Sequence, residues 1–186
     1  MLAFAALGGG VAHAQSDAIA AAGIIDEVRI GLHSHAASPY FWPHHVDKWR
    51  LDDISDVSFD ILFTSPEIDV FRWIGSPRPE IGVTANLTGD ESLLHAGLTW
   101  QLPIFETGLF LEGSLGAAAH TGYLDGAPDG ERNLGCRVNF YERFGAGMNV
   151  TENVTATLTY EHMSNWELCG NNDGFSNIGL RLGWKF

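Results

Sequence analysis

From Val28 to the C-terminal Phe186 the sequence alternates apolar with polar or small residues in short runs separated by turn chemistry. A period of two belongs to a β-strand with one apolar face, whereas a helix repeats near 3.6. Eight runs can be marked. Val28, Ile30 and Leu32 form the first. The others are Val57 to Phe63, Ile81 to Leu87, Leu94 to Leu102, Leu109 to Ala117, Val138 to Met148, Val154 to Tyr160 and Ile178 to Phe186. No helical repeat lies between them, so the chain reads as all-β.

A soluble sandwich also alternates, but three features favour a barrel in a membrane. The number of runs is even. The face opposite the apolar set carries Arg, Asn, Gln and Gly, as a polar lumen does. The chain ends on a strand, with Trp184 and Phe186 where aromatic residues meet an interface. No stretch of about 18 apolar residues is present for a spanning helix. A closed barrel also pairs every backbone group inside lipid, which an open sheet cannot. The expectation is an eight-stranded antiparallel up-and-down transmembrane β-barrel over residues 27–186. Tight turns at Pro103 to Glu106 and Thr151 to Asn153 mark the inner end. Ser34 to Ser55, Thr121 to Leu134 and Asn165 to Phe175 are then outer loops, with Asn86 to Asp90 a short one. Ser65 to Glu80 is a long connection on the inner side.

Composition narrows the partners. There are only 10 Lys and Arg, and the formal net charge is −13. Such a chain lacks the basic footprint that nucleic acid requires, and it has no polybasic patch for anionic lipid. Residues 1–14 read as a signal peptide with its start truncated: an apolar run, no preceding Lys or Arg, then Ala12-His13-Ala14 as a cleavage site. Cys136 and Cys169 fit one disulfide in an oxidising compartment. His33, His35, His44, His45, His95 and His120 lack ligand spacing and read as lumen or solvated residues, so no metal is expected.

One constellation suggests chemistry. His162 and Ser164 continue the seventh strand on its apolar face, beyond Leu158 and Tyr160, at the outer end. Polar side chains facing lipid are costly. A serine hydroxyl beside an imidazole is also the pairing that nucleophilic catalysis needs. The plainer alternative is a pair of interfacial polar residues.

The run His162-Met163-Ser164-Asn165, then Asn172-Asp173-Gly174, then a closing Gly183-Trp184-Lys185-Phe186, resembles the lipid A 3-O-deacylases. These are outer-membrane acyloxyacyl hydrolases. The similarity reaches back through Leu134-Gly135-Cys136-Arg137 and Gly82 to Leu98. It implies an outer-membrane serine esterase that removes an ester-linked acyl chain from lipid A, with lipopolysaccharide as substrate and no cofactor. Ser164 would be the nucleophile, His162 the base and Asn165 an oxyanion donor. Two features depart from the family pattern. Ser176 stands where a Glu orients the His, and Trp166-Glu167 replaces a small Ala-Gly.

Register offers a replacement acid. A hairpin centred on Glu152 pairs Val150 with Val154, Met148 with Ala156, Ala146 with Leu158 and Phe144 with Tyr160. Glu142 then faces His162, and the expectation is that it orients and charge-balances the imidazole. The same register sets Cys136 opposite Leu168, so a bridge to Cys169 would staple the outer loop beside the site. Arg132 and Arg137, near the outer rim, or bridging divalent cations, are candidates to meet the lipid A phosphates. The competing readings are a non-catalytic structural or adhesive barrel whose site has decayed, and a phospholipase using the same pair.

Overall fold

The computed structural model describes residues 23–38, 40–44 and 46–186. The signal-peptide segment 1–14 lies outside them. Eight strands close into one antiparallel barrel in chain order. They are β1 (Ile25–Ser38), β2 (Ile54–Phe63), β3 (Arg78–Asn86), β4 (Leu93–Ile104), β5 (Leu109–His120), β6 (Val138–Asn149), β7 (Val154–Ser164) and β8 (Phe175–Lys185). A 3-10 turn, Val46–Lys48, lies between β1 and β2, and a short helix α1, Asp69–Trp73, between β2 and β3. No helix among the described residues is long and apolar enough to cross a membrane.

The alternation sets inside against outside. Ile30, Leu32, Leu94, Leu115, Leu158, Leu180 and Leu182 are exposed on the outer wall, the surface that hydrocarbon covers in a membrane barrel. The interior is ionic. Arg29 bonds Glu112 at 2.7 and 2.8 Å and Glu27 at 2.9 Å. Arg181 bonds Asp60, Thr159 and Glu161 at 2.9, 2.7 and 2.6 Å. Arg143 pairs with Glu80 and lies 3.5 Å from Asp60. Tyr141 donates its hydroxyl to Glu161 at 2.7 Å. A buried charge is tolerated only with such partners. Four of the histidines belong here or at the rim. His33 meets Ser58, His35 meets Asp56 and Glu91, His95 meets Asp60, and His120 meets the Cys136 carbonyl. No group of residues that could hold a metal ion is found among the described residues.

The β6–β7 register is the one the sequence predicts: Met148 with Ala156, Ala146 with Leu158, Phe144 with Tyr160 and Glu142 with His162. Several strands run longer than alternation suggests, β1 and β3 among them. β1 continues past His33 to Ser38 through an irregularity against β8. The small, polar stretch Ser34 to Ser38 hides its strand character, yet lumen bonds hold it: His35 to Asp56 and Glu91, and the Ala36 N–H to the Asn177 side chain at 2.8 Å. β3 begins at Arg78, whose guanidinium reaches Asp26 at 2.7 Å and Glu27 at 2.8 Å. At the inner end the connection that looked like a bare loop contains α1, which the Trp100 indole N–H secures at the Ile74 carbonyl, 2.8 Å away.

Candidate active site

β7 delivers its even-numbered residues to the outer wall, so Tyr160, His162 and Ser164 stand in one column toward the outer end. Tyr160 and His162 are nevertheless buried, at 4% and 5% exposure. The cause is the β1–β2 loop, which folds back over the outside of the barrel. The Phe41 ring meets His162 edge-on at 5.2 Å and Phe144 at 5.9 Å. Trp42 stacks on Phe144 at 5.4 Å, and Trp49 tilts against Tyr160 at 5.9 Å. Tyr160 donates its hydroxyl to the Tyr40 carbonyl. The loop thus walls off part of the lipid-side surface around the imidazole. The aromatic run Tyr40-Phe41-Trp42 is the sequence signal that could have revealed this wall, and no strand or catalytic motif points to it.

His162 Nδ1 lies 2.8 Å from Ser176 Oγ, and Ser176 Oγ donates to the Tyr40 carbonyl at 2.7 Å. A hydroxyl has one proton to give, and a carbonyl only accepts. Ser176 therefore accepts from His162, which places the ring proton on Nδ1 and leaves Nε2 with the lone pair. The position that departs from the family acid is thus the one that holds the ring. Ser176 also pairs directly with His162 across β7 and β8.

Glu142 faces His162 in register, but no hydrogen bond or ion pair joins them. Its Oε2 is buried with no partner among the described residues. Ser164 and His162 are likewise not hydrogen-bonded to one another, and such pairs commonly tighten only once substrate is seated. His162, Ser164 and Glu142 line one cleft of about 720 Å³, together with Phe41, Phe140, Trp166, Arg132 and Asn172 to Gly174. Phe41, Phe140 and Trp166 give it apolar walls beside its polar groups, the usual form of a site for an amphipathic ligand.

Gly174 is required by close approach: a Cβ there would stand 2.9 Å from Ser164 Cβ and 2.8 Å from the Met163 carbonyl oxygen. Asn165 is 1% exposed. Its side-chain amide donates to the carbonyls of Leu134 at 2.9 Å and Asn171 at 2.5 Å, while its backbone N–H bonds Asn172 Oδ1 at 2.8 Å. Both amide protons are thus spent on the outer loops. Trp166 and Glu167 follow at φ +53° and +63°, a left-handed backbone that costs non-glycine residues roughly 1–2 kcal/mol each. That conformation explains why the family's glycine suits the second of these positions. Here Trp166 accepts the cost and contributes a wall, meeting Phe140 edge-on at 6.0 Å. Cys136 and Cys169 form a disulfide with a Cα–Cα distance of 5.4 Å. Asp173 Oδ2 accepts from the Asn133 N–H at 2.9 Å beside it. The β5–β6 and β7–β8 loops are therefore clamped together behind Ser164.

A closed eight-stranded barrel with an ionic lumen and an apolar outer wall defines an outer-membrane protein. The chain belongs to the lipid A 3-O-deacylase (PagL) family, whose model matches residues 41–185, and its place is the bacterial outer membrane. Among solved structures, the outer membrane enzyme PagL superposes with a TM-score of 0.59 at 18% identity, over 86% of this chain and 99% of that one. The outer membrane protein Ail of Yersinia pestis gives a TM-score of 0.50 at 14% identity, over 88% and 99%. Neisserial surface protein A gives 0.49 at 12% identity, over 88% and 97%. At such identities the structural likeness speaks for the fold. No curated protein matches the sequence.

Proposed function

We propose that the chain is a serine esterase that hydrolyses the 3-O ester-linked acyl chain of lipid A from the lipid-facing side of the barrel. The observation that carries this reading is the chain from Tyr40 through Ser176 to His162, which leaves Nε2 basic on the face that bears Ser164. In the first step Ser164 Oγ attacks the ester carbonyl while His162 Nε2 takes its proton. Collapse of the tetrahedral adduct breaks the bond between the acyl carbon and the sugar's ester oxygen, and His162 returns the proton to the leaving sugar hydroxyl. Water, deprotonated by the same nitrogen, then attacks the Ser164 acyl ester. Fatty acid leaves and the serine is restored.

Ser176 is the orienting group, taking by hydroxyl the place the family gives to a carboxylate. Glu142 provides charge balance across the strand pair for the imidazolium that forms, without holding the ring. Asn165 anchors the loop behind the nucleophile. The oxyanion falls to backbone N–H groups of the Trp166-Glu167 turn that Asn165 supports. The acyl chain lies along the aromatic wall of Phe41, Phe140 and Trp166. A fluorophosphonate, which reacts with activated serines, tests the nucleophile. It should add one phosphonyl group to the protein in detergent micelles, mapped to Ser164 and absent from Ser164→Ala. A wild-type barrel that stays unlabelled would favour the non-catalytic reading.

A further inference from the structure

An anionic substrate must be held by a chain with a formal charge of −13 and only 10 cationic side chains. Seven of the ten are engaged elsewhere. Arg29, Arg78, Arg143 and Arg181 are bound into the lumen network. Arg137 donates to the carbonyls of His120 and Gly122 at 2.7 and 2.9 Å. Arg72 pairs with Asp69 on α1 and Lys185 bonds Asn149, both at the inner end. The remaining three, Lys48, Arg50 and Arg132, line a single second cleft of about 310 Å³.

That cleft adjoins the first. Arg132 and Gly174 belong to both. Arg132 is held in place by the Phe175 ring, 5.3 Å beneath its guanidinium, and by Glu91 at 3.3 Å. Lys48 has a loose contact with Asp47 at 3.6 Å. Arg50 makes no ion pair among the described residues, although its backbone fixes it: its N–H donates to the Ala37 carbonyl at 2.9 Å, and its own carbonyl accepts from Ser34 at 2.8 Å. Two loops thus bring three cations together beside the nucleophile, in a chain that otherwise neutralises its cations internally.

We infer that this second cleft is a phosphate subsite, receiving a phosphate monoester carried on the sugar that bears the scissile ester. Lys48, Arg50 and Arg132 are its donors. The inference rests on the deacylase reading for its substrate. The contiguity of the clefts lets one headgroup put its ester at Ser164 and its phosphate between the three cations. Arginine suits the planar, two-point recognition of phosphate, and lysine adds a point charge. Of the two arginines expected at the rim, Arg132 takes this role and Arg137 is structural.

Binding separates this idea from the question of catalysis. The full-length Ser164→Ala protein in neutral detergent micelles is titrated with bisphosphorylated lipid A and with its dephosphorylated derivative, read by tryptophan fluorescence. The phosphorylated lipid should bind about tenfold tighter, and Lys48→Ala/Arg50→Ala should remove most of that difference. Equal affinity for the two lipids, or a preference unchanged in the double variant, overturns the subsite. Competition by inorganic phosphate at the concentration of the lipid would also overturn it, by marking a free-anion site. Failure of the wild-type protein to release fatty acid from either lipid counts against the esterase reading alone.

Discussion

Inside the barrel Arg181 has three partners between 2.6 and 2.9 Å. On the outer wall Glu142 keeps a buried oxygen with none, and Ser164 stands beside His162 unbonded. The two regions use similar side chains for opposite ends. Lumen charges are neutralised by one another and hold strands together, although single atoms such as Glu80 Oε1 and Arg143 Nε accept or donate no hydrogen bond among the described residues. The cleft leaves the Ser164 hydroxyl, His162 Nε2 and a Glu142 carboxylate oxygen without a hydrogen bond among the described residues, beside a loop that covers part of the outer wall. The two regions therefore divide by charge pairing: opposite charges meet in the lumen, and Glu142 on the outer wall has no ion pair among the described residues.

The comparison is broken most sharply at His162. His162→Gln should cut ester hydrolysis by at least about a thousandfold. The barrel itself should remain intact, seen as an unchanged shift between heated and unheated samples on a gel. Retained turnover would deny the imidazole its role as base. Arg143→Met probes the other region. It leaves Glu80 without a cation, held only by the Thr99 hydroxyl at 2.6 Å, and weakens the hold on Asp60 and Glu112, so unfolding in urea should lose about 3–5 kcal/mol. The activity of the protein that remains folded should change little.

Smaller effects sharpen the account of the site. Ser176→Ala removes the bond that fixes the imidazole, which is worth about 1 kcal/mol. The turnover number should fall about fivefold to tenfold with KM nearly unchanged, and Ser176→Thr should recover most of it. A KM effect instead would make Ser176 a packing residue. Glu142→Gln should lower the turnover number about threefold, in line with a part-exposed charge interaction. Unchanged hydrolysis would remove Glu142 from the mechanism.

The barrel was legible because lipid outside and ions inside force an uninterrupted period of two, and because turn chemistry at Thr151 to Asn153 fixes the β6–β7 register. That register sets Glu142 opposite His162 from the sequence alone. What stayed hidden depends on contacts between segments far apart in the chain. Tyr40 and Ser176 are separated by 136 residues, and no local pattern announces that a loop carbonyl will complete a histidine relay. Asn165 shows the same limit. Its place beside Ser164 suggests an oxyanion donor, yet its amide protons go to Leu134 and Asn171. The extension of β1 through Ser34 to Ser38 was obscured because its bonds run to lumen side chains, which leave no apolar stripe.

The central claim is that Ser164 carries the acyl transfer. Mass spectrometry of lipid A from a host of defined lipopolysaccharide, expressing wild-type or Ser164→Ala protein at equal folded levels, tests it directly. The account predicts loss of one 3-O acyl chain with the wild-type protein and unaltered lipid A with Ser164→Ala. Lipid A left intact by the wild-type protein, or trimmed equally by both, would contradict it.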